Sequence, residues 1–158
     1  WGELDYLLID LPPGTGDIQL SLAQMIPVNG ALFVTTPQKV AMADVNKSIN
    51  MFALPGIEVD LLGVVENMAY FTPEDMPEKK YFIFGENGGK DIATKFNTNF
   101  LGEIPLVQGV RKGGDEGSPM SLNEEHPISL AFKSIAQNLA QQIAIKNAKF
   151  AKEIVDSK

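Results

Sequence analysis

Apolar residues in this chain gather in short unbroken runs, separated by longer mixed segments. Runs without alternation suit strands buried on both faces, as in parallel sheets. The runs are Tyr6-Leu7-Leu8-Ile9, Ala31-Leu32-Phe33-Val34, the stretch from Asp60 to Val65, and Phe100-Leu101-Gly102-Glu103-Ile104. Between them the pattern turns helical. Asp17 is placed to cap a helix over Ile18 to Met25, which Pro27, Asn29 and Gly30 break. Lys39 to Phe52 reads as a helix with Val40, Ala43, Ile49 and Phe52 on one face, and Pro55-Gly56 ends it. A short helix is expected from Lys90 to Phe96 after Gly88-Gly89. A final amphipathic helix after Pro127 carries Leu130, Phe132, Ile135, Leu139 and Ile143. Thr72 to Lys80 reads as a surface loop, Tyr81 to Phe84 as an edge strand or a loop packed on one, and Gln108 to Leu122 as a Gly-rich loop.

Strand, helix, strand, helix, strand within about sixty residues is the βαβαβ pattern. The expected fold is α/β: a partial doubly wound, mostly parallel sheet with helices on both faces. Residues 1–145 read as part of one domain and 146–158 as a charged, fraying helix end. The opening Trp1-Gly2-Glu3-Leu4-Asp5, with no Met and no basic leader, reads as the start of a portion of something longer.

Composition narrows the function. The net charge is −7 with no dense Lys/Arg run, which argues against a nucleic-acid partner. No apolar run approaches the roughly 20 residues of a membrane helix, so no membrane partner is expected. There are no cysteines, so the chain offers neither disulfides nor thiolate ligands for a metal or cluster, and a cytoplasmic setting is compatible.

In open α/β sheets ligands bind beyond the carboxyl ends of the strands. Those ends carry Asp10, Thr35-Thr36-Pro37, Glu66-Asn67 and Ile104-Pro105. A carboxylate ending an apolar run needs compensation, which a magnesium ion supplies in P-loop NTPases; a turn cap is the plainer alternative. The loop Pro12-Pro13-Gly14-Thr15-Gly16 can bring backbone amides close to a phosphate.

The phrase Leu7-Leu8-Ile9-Asp10-Leu11-Pro12-Pro13-Gly14-Thr15-Gly16-Asp17 resembles the Walker-B and switch II segment of the Mrp family of P-loop ATPases, iron–sulfur carrier relatives of MinD and ParA. The stretches 34–45, 63–71, 83–85, 88–89, 101–106 and 114–119 resemble further blocks of that family, in the same order. The resemblance implies a sheet that dimerises around ATP, and a role with iron–sulfur assembly or recipient proteins. By it Asp10 would hold magnesium through water and act in catalysis. Pro12, Pro13, Gly14, Thr15 and Gly16 would lie beside the γ-phosphate. Asn67 would hydrogen-bond adenine, and Ile104 and Pro105 would line its pocket. A loop cap at Asn67 and a strand stop at Pro105 are the bland alternatives.

Two departures qualify the resemblance. No Gly-x-x-x-x-Gly-Lys-Ser/Thr occurs; Gly85-Glu86-Asn87-Gly88-Gly89-Lys90-Asp91 has the wrong spacing and an Asp where the hydroxyl belongs. The chain by itself is therefore expected neither to hydrolyse ATP nor to bind it tightly. Where relatives carry Cys-x-x-Cys, this chain has Pro73 and Met76, so it supplies no iron–sulfur ligands there, although Glu74, Asp75 and Glu78 suit weak binding of a hard cation. Competing functions are a MinD- or ParA-like positioning ATPase and a non-catalytic interaction domain. His126 is expected to serve a loop or cap, and Arg111 and Lys112 to pair locally with Asp115 and Glu116.

Overall fold

A computed structural model describes residues 1–73, 75, 76 and 78–156. Three strands, β1 (Ala31–Thr35), β2 (Leu61–Asn67) and β3 (Phe100–Ile104), form one sheet in the order β1-β2-β3. Both pairings are parallel, with Thr35 opposite Glu66 and Asn67 opposite Ile104. Their carboxyl ends therefore share one sheet edge. Among the described residues five α-helices accompany them: α1 (Asp17–Met25), α2 (Lys39–Phe52), α3 (Gly88–Lys95), α4 (Gln108–Asp115) and α5 (Pro127–Asp156).

The core has two halves, one on each face of the sheet. On one face Phe33 and Val64 pack with Ile49, Met51 and Phe52 of α2 and with Ile92 and Ala93 of α3. Phe33 and Phe52 meet edge to face at 5.8 Å, a favoured aromatic geometry. Leu20 and Ala23 of α1 join this face, as does Leu11 just before the 12–16 loop. On the other face Val65, Leu101 and Ile104 pack under Ala131, Ile135 and Leu139 of α5. Asn138 ties α5 to the sheet by donating to the Leu101 carbonyl at 2.8 Å. Lys146 of α5 pairs with Asp60 at 2.6 Å, and Asn29 donates to Asn147 at 3.3 Å.

Four expectations need correction. Tyr6 to Ile9 forms no strand; the segment is irregular and all four side chains are exposed. A run of this kind becomes a strand only when neighbours supply a ladder and both faces are covered, and no described strand pairs with it. Asp17 does not cap α1: Gly16 is the N-cap, with no side-chain cap bond, and Asp17 lies in the first turn, where its charge suits the helix dipole. Gln108 to Leu122 is no open loop, because it holds α4 and a 3₁₀ turn over Met120–Leu122. Its glycines permit contact: a Cβ at Gly109 would fall 2.4 Å from Met120 Sδ, and one at Gly113 2.6 Å from the Ser118 carbonyl. Finally, Val40 and Ala43 are exposed on α2, while Met51 joins Ile49 and Phe52 inside and Met42 and Val45 pack against that core.

The segment Tyr81 to Phe84 resolves as a loop, tied by a single antiparallel bridge between Phe71 and Tyr81. Glu74, which the sequence groups with Asp75 and Glu78, and Pro77 lie outside the described residues. No described helix is long and apolar enough to cross a membrane.

Candidate functional site

The edge formed by the carboxyl ends of β1, β2 and β3 gathers Thr35, Glu66, Asn67, Ile104 and Pro105. Asn67 and Ile104 are register partners. Past the strands the two chains stay paired: the Ala69 N–H donates to the Ile104 carbonyl at 3.0 Å and the Leu106 N–H to the Tyr70 carbonyl at 2.7 Å. Pro105 therefore sits in a braced double strand-end. Asn67 Oδ1 accepts the Met68 N–H at 2.9 Å, and Met68 takes φ +53°. The amide is thus part of a local turn, as the bland alternative had it. Its oxygen keeps a second lone pair and its nitrogen two N–H groups, enough to pair with a base edge.

Glu66 is buried in this edge. Its Oε2 accepts the Gly89 N–H at 2.6 Å, at the start of α3. Burial pushes its carboxyl above the usual carboxylate range, and Glu103 and Asp91 add to the push; the Gly89 bond and Lys90 oppose it. The segment that mimicked a phosphate loop is explained by the same contact. A Cβ at Gly88 would fall 2.8 Å from Pro37 Cα, and one at Gly89 3.0 Å from Glu66 Cβ. These glycines let the start of α3 lie directly on the ends of β1 and β2, and the Gly89 amide is already taken by Glu66.

The other half of the predicted site lies before α1. Asp10 is exposed, in the irregular segment before α1. Among the described residues no hydrogen bond or ion pair joins Asp10 or the 12–16 loop to Asn67, Ile104 or Pro105. What places the loop is Gln19, a residue the sequence reading passed over. Its Nε2 donates to the Pro12 carbonyl at 2.7 Å and to the Gly14 carbonyl at 3.2 Å. A partial signal existed: Pro12 and Pro13 have no N–H with which to brace the loop, and Gln19, seven residues past Pro12 and five past Gly14, carries two amide N–H groups.

The lesser candidates behave as expected. His126 Nδ1 accepts the Ile128 N–H at 3.2 Å at the start of α5. Arg111 and Asp115 pair at 2.7 Å on the surface, and Lys112 and Glu116 at 3.9 Å. A single oxygen ligand such as the Asp10 carboxylate suits a hard cation that keeps most of its waters, as magnesium does.

Known proteins resemble this chain in sequence and in fold. The chain is 44% identical over 146 residues to an iron–sulfur cluster carrier protein of Synechocystis, covering 92% of the chain and 41% of that protein. It is 43% identical over 148 residues to the iron–sulfur cluster transfer protein NUBPL of Dictyostelium discoideum, covering 93% and 45%. The chain thus spans less than half the length of these curated relatives. Among solved structures, the nucleotide-binding protein of Archaeoglobus fulgidus in complex with ADP aligns with a TM-score of 0.68 at 42% identity, over 84% of this chain and 52% of that one. MinD of Aquifex aeolicus aligns at 0.64 with 22% identity, over 89% and 55%, a likeness of fold. Residues 1–140 match the ParA family in the form described as the NUBPL iron-transfer P-loop NTPase. With its parallel sheet, its strand-end cluster and that match over most of its length, the chain belongs to the ParA-type P-loop NTPases of the iron–sulfur carrier kind.

Proposed function

We propose that these residues form the magnesium and base side of an ATP site, which a phosphate-binding loop completes in the gene product, and that the protein hydrolyses ATP while serving iron–sulfur cluster assembly. The observation that carries this reading is the meeting of Asn67 with Ile104 and Pro105 on one parallel strand edge, in a chain matched to a P-loop NTPase family along residues 1–140. The ADP complex of the Archaeoglobus fulgidus relative supports a nucleotide as the ligand.

Asp10 would hold magnesium, and the ion would supply charge neutralisation at the phosphates. Pro12, Pro13, Gly14, Thr15 and Gly16 border the terminal phosphate, where the Gly14, Thr15 and Gly16 amides can donate to it. Asn67 reads the adenine edge, with Ile104 and Pro105 against the ring. Two copies of the protein closing around nucleotide complete the working unit. The names of the relatives point to iron–sulfur clusters as cargo and to assembly or recipient proteins as partners. This chain contains no cysteine, so it offers no thiolate to a cluster, and no step through a cluster is derived from it.

The test is magnesium-dependent ATP turnover, measured in the 158-residue chain and in the gene product that carries a phosphate-binding loop. Activity is expected only in the longer form. Asp10→Ala should lower its kcat by about 100-fold or more, since a metal contributes several kcal/mol to such a transition state. Undiminished turnover in the Asp10→Ala protein would remove Asp10 from the site.

A further inference from the structure

Gln19 is the one buried residue of α1, 3% exposed, in a helix whose other residues are all at least partly open. It is the third residue of the helix after the Gly16 cap. A glutamine there ordinarily turns its oxygen back to the N–H of the cap residue. Here Oε1 has no hydrogen-bond donor among the described residues, although it lies 3.4 Å from where a Gly16 Cβ would stand. The nitrogen instead reaches past the cap to the carbonyls of Pro12 and Gly14. Swapping the two ends of the amide would set an oxygen against two carbonyl oxygens, so this orientation is fixed by its partners.

We propose that Gln19 is a positioning residue for the 12–16 loop: its buried amide clamps the Pro12 and Gly14 carbonyls and fixes how the loop faces the terminal phosphate. The clamp stands on geometry, and its effect on turnover rests on the nucleotide reading above.

Three features argue that the residue serves the loop rather than packing. A methionine would fill the same space and leave no unsatisfied acceptor, and a buried unsatisfied acceptor is destabilising. The loop has little means of bracing itself, with two prolines that lack N–H groups and no other described hydrogen bond. And α1 is anchored, because Leu20 and Ala23 pack into the core with Leu11. Gln19 thus passes the rigidity of the core to an exposed loop through two hydrogen bonds.

The experiment uses Gln19→Glu, which keeps the shape and loses the donor, and Gln19→Met, which keeps the volume and loses both polar atoms. Backbone ¹⁵N relaxation on the 158-residue chain reads the loop directly. The amides of Gly14, Thr15 and Gly16 should fall from near the rigid value of about 0.85 toward 0.6 or below in order parameter, with the sheet unchanged. In the gene product, kcat should fall about tenfold or more with the KM for ATP changed little, the pattern of a group felt in the transition state. Unchanged loop order in both variants overturns the clamp. A loosened loop with undiminished kcat overturns its role in positioning. Loosening in a gene product whose wild type shows no turnover supports the clamp and removes the nucleotide reading instead. Should the glutamate variant fail to fold, the methionine variant decides alone.

Discussion

Two stretches of this protein look alike in sequence and differ in almost every physical respect. Pro12 to Gly16 leads into α1, and Gly85 to Gly89 runs into the first turn of α3, each a glycine-bearing segment at a helix start. At the first, nothing lies within 4 Å of a Cβ placed on Gly14, and φ is +96°. At the second, Gly88 and Gly89 lie against Pro37, Met42 and Glu66, and the Gly89 N–H is bonded to a buried carboxylate. One segment uses glycine for backbone freedom in open space. The other uses it to bring two pieces of backbone together. A phosphate-binding loop needs freedom and unfilled amides; the second segment has given up both at Gly89, whose N–H is bonded to Glu66.

The comparison breaks most visibly at Gly88. An alanine there would press its methyl to 2.8 Å from Pro37 Cα and 3.0 Å from Met42 Sδ. The first contact is with backbone, which cannot swing aside as a side chain does. Gly88→Ala is expected to cost about 2 kcal/mol, typical of overpacking, seen as a lower urea midpoint at unchanged slope. A midpoint equal to wild type would mean that α3 does not lie on the strand ends as described.

Glu66 sharpens the same side of the comparison with a smaller effect. Its carboxyl is raised above 4.5 chiefly by burial. Between 4.5 and the raised folded value the native state holds more protons than the unfolded chain. Stability therefore falls as pH rises through that window and is flat on either side of it. Glu103 and Asp91 deepen the fall, while Lys90 and the Gly89 N–H reduce it. Glu66→Gln keeps an oxygen for the Gly89 N–H and does not titrate. Its stability relative to wild type should climb as pH rises from about 4.5 and then level off. Urea midpoints of the two proteins across pH 4 to 8, on the order of the usual carboxylate-to-neutral range, check this. A constant difference across the series would show that Glu66 titrates as an exposed glutamate does.

Much of this was legible in the sequence, and what was not has identifiable causes. Three of the four apolar runs became strands, because Ala31–Val34, Leu61–Val65 and Phe100–Ile104 find one another in register. Tyr6 to Ile9 has the same composition but no ladder partner among the described residues, and a strand is a property of pairs. The Gly-rich stretch at 108–122 misled because glycine count reports freedom only when nothing packs on the missing Cβ; at Gly109 and Gly113 something does. That the candidate residues at the strand ends lie together followed from topology, since parallel strands share a carboxyl edge. Gln19 did not, because its part depends on where a side chain reaches across a turn. Glu66 stood out at a strand end, but its partner, the Gly89 N–H, is 23 residues away.

The smallest expected effect on stability is at Gly14, and it tests whether openness there is real. Alanine at φ +96° carries strain of about 1–2 kcal/mol if the backbone is held. Apart from Gln19 at 3.2 Å from its carbonyl, no described group holds it. The loop should relax by shifting that dihedral, so Gly14→Ala should lower stability by no more than about 1 kcal/mol. The amide resonances of Thr15 and Gly16 should move while those of α2 and the sheet stay in place. In the gene product the same change should lower ATP turnover, because the relaxed loop no longer presents its carbonyl to Gln19. A loss of stability as large as that of Gly88→Ala would show that the 12–16 loop is held by more than one side chain, and the two glycine segments would then be alike after all.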